Sequence, residues 1–196
     1  MVESLNIIPE LKNKVSERFS FSYENYVPPD KTGYTVRRFY RMYQLAIFLK
    51  CPILLGDMDL ICSKNLQVLL DQLKDSDIGI LIREHESVIN QQVLGSLFYC
   101  NPTPAGLKFL RLAVNYMFEL EFKTKPTWFV DQMALFAAYN YYEKVEKTVN
   151  ISKIPQNAII LDNQKAKEDT IFLHAKGKGK GLIVKELNLP ESYFEE

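Results

Sequence analysis

At 196 residues, 47% hydrophobic and 24% charged, the chain has the material for one folded domain with a sizeable core. Basic and acidic residues balance at 24 each, which excludes a global field that would draw the protein to nucleic acid or to an anionic membrane. The three cysteines, Cys51, Cys62 and Cys100, are odd in number and set in apolar surroundings, a pattern of reduced core thiols rather than of a disulfide framework. The opening MVESLNIIPELKNK lacks both a secretory and a transit pattern, so the expected location is cytoplasmic. The longest apolar stretch is broken by Lys50, Pro52, Asp57 and Asp59, which excludes a spanning helix and leaves a peripheral membrane contact open.

Residues 1–34 read as an N-terminal extension or loop, closing in the turn-rich Pro28-Pro29-Asp30-Lys31-Thr32-Gly33. From Thr35 to Lys50, Val36, Phe39, Tyr43 and Ile47 recur at a helical period and turn Arg37, Arg38 and Arg41 to the surface. Pro52 ends that helix, and Ile53-Leu54-Leu55 has the continuous apolar character of a strand buried on both faces. Ser63 is the expected cap of a helix through Leu66, Leu69, Leu70 and Leu73, and Ile78 to Ile82 is the next strand. Val93 to Tyr99 follows as a strand, and Thr103-Pro104 caps and starts a helix running to about Phe118. A further helix covers Phe129 to Tyr142, and short strands are expected at 149–151, 158–161 and 171–173. The alternation predicts an α/β domain over 35–185, with a mixed or mostly parallel sheet flanked by helices, and a tail at 186–196.

Asp57 and Asp59 stand at the end of the first strand. Residues two apart on an extended strand point to one side, so both carboxylates can meet a hard divalent cation, Mn²⁺ or Mg²⁺. Asp75 and Asp77 share the spacing but precede a strand, where a solvated turn is the expected reading. A second motif starts at His174, with Gly177 and Lys180 completing His-x-x-Gly-x-x-Lys. There imidazole offers a nitrogen ligand, glycine lets backbone amides approach an anion, and lysine meets phosphate charge. His85, among Arg83, Glu84 and Glu86, reads as a surface histidine.

Together these features resemble the glycogenin and bacterial lipopolysaccharide galactosyltransferase group: an apolar strand ending in Asp-x-Asp, an arginine-bearing helix before it, Trp128-Phe129-Val130-Asp131-Gln132, and a late His-x-x-Gly-x-x-Lys. That group comprises retaining enzymes of GT-A fold. The resemblance implies a glycosyltransferase moving a sugar from a nucleotide-diphosphate donor, a UDP-sugar, to a glycan, lipid-linked or protein acceptor. It gives Asp57, Asp59 and His174 the cation, Lys180 the diphosphate, and Arg41, with Arg38 in reserve, a part in donor binding. It sets Asp131 and Gln132 near the donor sugar on the reacting side. Two features depart from the group. Val93-Leu94-Gly95 stands where an Asn-x-Gly is usual, and too few residues precede Arg38 for the strands that hold base and ribose. The alternatives are a catalytically idle transferase-like binding or regulatory domain, and a phosphatase of haloacid dehalogenase type with Asp57 as nucleophile.

Overall fold

The computed structural model describes residues 31–57, 59–123, 129–160 and 169–174. Helix α1, Lys31–Leu49, starts four residues earlier than its periodicity suggested, so Lys31 to Gly33 form its first turn rather than a loop. Thr35 Oγ1 donates to Thr32 O at 2.8 Å within that turn. Val36, Phe39, Met42 and Ala46 are its buried stripe, whereas Ile47 is exposed. Lys50 then takes a positive φ of 51°, and the helix ends before Pro52.

Strand β1, Ile53–Gly56, is half-buried rather than buried on both faces, because among the described residues it lies at the edge of its sheet and pairs only with β4, Val93–Cys100. Between them in sequence come β2, Leu60–Cys62, a strand the periodicity did not reveal, helix α2, Gln67–Leu73, β3, Ile78–Ile82, and the short helix α3, Ile89–Gln92. Asn65, not Ser63, serves the start of α2: its Oδ1 accepts from the Gln67 N–H at 2.9 Å, while Ser63 Oγ donates to Ile171 O. Thr103 caps α4, Pro104–Lys123, as its position suggested, accepting from the Gly106 N–H at 2.9 Å. Helix α5, Val130–Tyr141, continued by a π-helical segment, Tyr142–Glu146, strands β5, Ile151–Ile154, β6, Ile159–Ile160, and β7, Phe172–His174, and a 3-10 turn at Gln156–Ala158 complete the described chain.

The strands form two sheets, ordered β1-β4-β3-β5 and β2-β7-β6. The larger is mixed, but β1 and β3 both run antiparallel to β4 and only β3 and β5 are parallel, so the mostly parallel alternative does not hold. All five residues of β3 are buried, and they alternate between two cores. Ile78, Ile80 and Ile82 join residues of α1, α4 and α5 on one face. Leu81 joins α2 and the smaller sheet on the other, where a Cβ on Gly79 would lie 2.9 Å from both Leu73 and Tyr99. The result is an α/β fold with a mixed sheet flanked by helices. Among the described residues no helix is long and apolar enough to cross a membrane.

Candidate metal site

The chain passes from the larger sheet to the smaller at Asp57–Asp59. Asp57 extends the β1–β4 ladder, its N–H donating to Ser96 O at 3.0 Å, and the Leu60 N–H then donates to Asp57 O at 3.1 Å. That bond closes a turn, so the two carboxylates are brought together by a turn rather than by strand alternation. Leu60 pairs directly with His174 across the antiparallel β2–β7 ladder, which sets the imidazole beside Asp59. His174 Nε2 lies 2.9 Å from Asp59 Oδ1 and 3.8 Å from Asp57 Oδ2. Ligand atoms from the three side chains all fall within 4.8 Å of one another.

This donor set fits a small divalent cation. With metal–ligand bonds of about 2.1 Å, neighbouring ligands in an octahedral shell stand about 3 Å apart and opposite ones about 4.2 Å. Two carboxylates and a neutral imidazole are ligands that Mn²⁺ or Mg²⁺ accepts, and a cation would take the place of the proton shared between His174 and Asp59. His174 is buried and the two aspartates are partly exposed, so the cluster is anchored on the inside and open on the outside.

Beside the cluster runs a chain of charges. The Arg38 guanidinium bonds Asp57 Oδ1 through one nitrogen and Asp131 Oδ2, at 2.7 Å, through the other. Asp131 lies in the first turn of α5, where the helix N-terminus favours negative charge, and is 3% exposed. The close approach depends on Gly95, where a Cβ would stand 2.7 Å from Asp131 Oδ2 and 2.9 Å from Arg38 Nη2. Gly95 has this position because the β3–β4 register breaks there: Ile80 faces Phe98 but Leu81 faces Leu94, leaving 95–97 turned toward β1. Arg38 Nε and Ser96 Oγ, on two residues that bond Asp57 through other atoms, are buried without a partner among the described residues, a pattern that in native structures calls for a reason.

Of the residues singled out from sequence, Asp57, Asp59, His174, Arg38 and Asp131 therefore come together. Arg41 is exposed on α1, its guanidinium 2.5 Å from Gln44 Oε1. The Gln132 amide, with its nitrogen turned to the carbonyls, donates to Asn90 O and Val93 O at 2.9 Å each and ties α5 to α3. Gly177 and Lys180 lie outside the described residues. Sequence reasoning missed Gly95 as a member of the site and ranked Arg41 ahead of Arg38. The i, i+3 spacing of the two arginines puts both near one helix face, and only packing shows which one reaches Asp57.

The cysteines divide. Cys100 is buried, as a core thiol should be, but Cys51 and Cys62 are exposed because they sit at a helix exit and a strand end; all three are free. The class these features define is a mixed-sheet α/β protein with an Asp-Asp-His cluster where its two sheets meet. No protein-family model matches the sequence, and no curated protein does.

Proposed function

We propose that the chain is a metal-dependent glycosyltransferase of GT-A-like architecture, moving a sugar from a nucleotide-diphosphate donor, a UDP-sugar, to a hydroxyl acceptor. The observation that carries this reading is the convergence of Asp57 and Asp59 with His174, more than a hundred residues later, with Arg38 on the adjoining carboxylate. Carboxylates that hold a divalent cation beside an arginine form a site for a diphosphate. When bound, the cation supplies charge to stabilise the departing nucleoside diphosphate.

The chain's own residues then have distinct tasks. Asp57, Asp59 and His174 hold the cation, and Arg38 meets phosphate charge. Asp131 is a positioning residue, since it acts through Arg38, which it fixes by a partly buried ion pair. The resemblance assigns Lys180 to the diphosphate and leaves the sugar and acceptor open.

The test is thermal denaturation with Mn²⁺, with UDP, and with both. The reading expects UDP to raise Tm in the presence of Mn²⁺ and not in its absence, and expects transfer or hydrolysis of a UDP-sugar to require the cation. A chain that UDP stabilises equally with and without Mn²⁺, or that transfers or hydrolyses a UDP-sugar without the cation, is not this enzyme.

A further inference from the structure

Helix α5 passes into its π-helical segment at Tyr142. The Lys147 N–H donates to Tyr142 O at 2.8 Å, a bond spanning five residues, and Lys147 itself takes a positive φ of 53°. Segments of this kind are rare in folded proteins and frequently stand at functional sites. The wide turn sends Tyr142 into the core, its ring centroid 5.5 Å from that of Phe109, and brings Glu146 to α4. Glu146 accepts there from Lys108 Nζ, and from Thr148 Oγ1 at 3.1 Å. Between α4 and the turn lies a recess of about 240 Å³. Lys108, Arg111 and Asn115 follow at intervals of three and four on α4 and so share the face that lines it, with Leu112 beside them and Tyr141 and Glu146 opposite. The charges do not cancel: one carboxylate meets two cations, and it is bonded to Lys108. Among the described residues Arg111 has neither a hydrogen bond nor an ion pair. Tyr141, 39% exposed, offers an aromatic ring to the same recess.

We propose that this recess binds a small organic anion, a phosphate or carboxylate carried on an apolar body. The Arg111 guanidinium presents a planar fork that two anionic oxygens match, and the Asn115 amide, one helical turn on, adds a neutral donor. Tyr141 and Leu112 form the apolar wall on which a ring can lie. A bare inorganic anion would leave that wall wet, and a neutral apolar ligand would leave Arg111 unmatched. The volume is below the roughly 300 Å³ at which sites for drug-sized ligands begin, so the ligand is small. The π turn explains why the site forms here: it anchors Tyr142 in the core and leaves Tyr141 at the recess, while Glu146 holds Lys108 and leaves Arg111 to the ligand. The recess shares no residue with the cation cluster, and the inference is independent of it.

Titration calorimetry of the full chain with phenyl phosphate, benzoate and inorganic phosphate tests it, with EDTA present so that no cation recruits the anion elsewhere. At least one of the two organic anions is expected to bind, and the tighter of them names the anionic group. Inorganic phosphate should bind about ten-fold more weakly, since it leaves Tyr141 and Leu112 uncovered. Arg111→Gln should weaken the organic anion roughly ten- to hundred-fold, with Tm unchanged because Arg111 bonds nothing in the described fold. Tyr141→Ala should weaken the organic anion and leave the affinity for inorganic phosphate as it was. The proposal falls if neither organic anion binds at about 10 mM, a concentration at which even a weak site of about −4 kcal/mol is filled. It falls equally if Arg111→Gln binds as tightly as the unaltered chain, which would put the anion at another site.

Discussion

The two Asp-x-Asp pairs of this chain have the same spacing and opposite fates. Ile53 and Ile78 both lie opposite Cys100, so Asp57, after β1, and Asp77, before β3, stand at opposite ends of one sheet. At the Asp57 end the carboxylates face a histidine and an arginine contributed by other elements. At the Asp77 end they are absorbed by the fold. Asp77 accepts from the Thr103 hydroxyl through one oxygen and from the Asn150 N–H, at 2.8 Å, through the other, clamping the start of α4 to the start of β5. Asp75 is exposed, and among the described residues its backbone carbonyl is what is engaged, by Asn150 Nδ2 at 2.8 Å. Spacing therefore does not make a metal site; the groups that face the carboxylates do. The expected solvated turn holds for Asp75 and fails for Asp77, because Thr103 and Asn150 arrive from distant segments to use its oxygens.

The comparison can be broken most directly with Mn²⁺. Calorimetric titration should show that Asp57→Ala with Asp59→Ala loses more than the roughly 100-fold that removal of an outer-shell partner costs, and that Asp75→Ala loses nothing. Equal affinity in the two variants would erase the distinction. Next in size is Asp131→Ala, which leaves the Arg38 guanidinium, 22% exposed, with Asp57 as its remaining carboxylate partner among those described here. Urea unfolding should report a loss of about 2 to 3 kcal/mol, below the full cost of breaking a wholly buried pair because Arg38 keeps some water.

Asp77→Ala sharpens the contrast from the other side. It removes the acceptor of two hydrogen bonds and should cost about 2 kcal/mol of stability while leaving Mn²⁺ affinity unchanged. The smallest effect concerns the thiols. Burial, and then the charge of Asp77, push the Cys100 thiol up to about 12. The reactive thiolate of Cys100 is therefore scarce until the pH approaches that value, and labelling must rise with pH. Iodoacetamide on the folded protein at about pH 8, near the ordinary thiol range, should modify Cys51 and Cys62 and spare Cys100, as read by mass spectrometry of peptides. Modification of all three at equal rates would show that the Asp77 end opens more readily than its packing implies.

What the sequence determined by itself was local. Helix periods, the Thr103 cap and the all-apolar β3 depend on residues within a turn or two, and their positions were legible with errors of a few residues at the ends. The chemical types at the candidate site were legible too, because Asp57, Asp59 and His174 each adjoin an apolar strand. Tertiary structure decided the rest. Whether β1 lies at an edge or in the centre depends on which strand pairs with it, and β4 comes some forty residues later. Arg38 rather than Arg41 reaches Asp57 because the bulged strand at Gly95 leaves room for its guanidinium against Asp131. Cys51 and Cys62 lie in apolar sequence yet meet water, and Phe48 continues a helical pattern yet faces outward. In each case the deciding contact joins residues far apart in the chain, and periodicity, which reports only on neighbours, has no access to it.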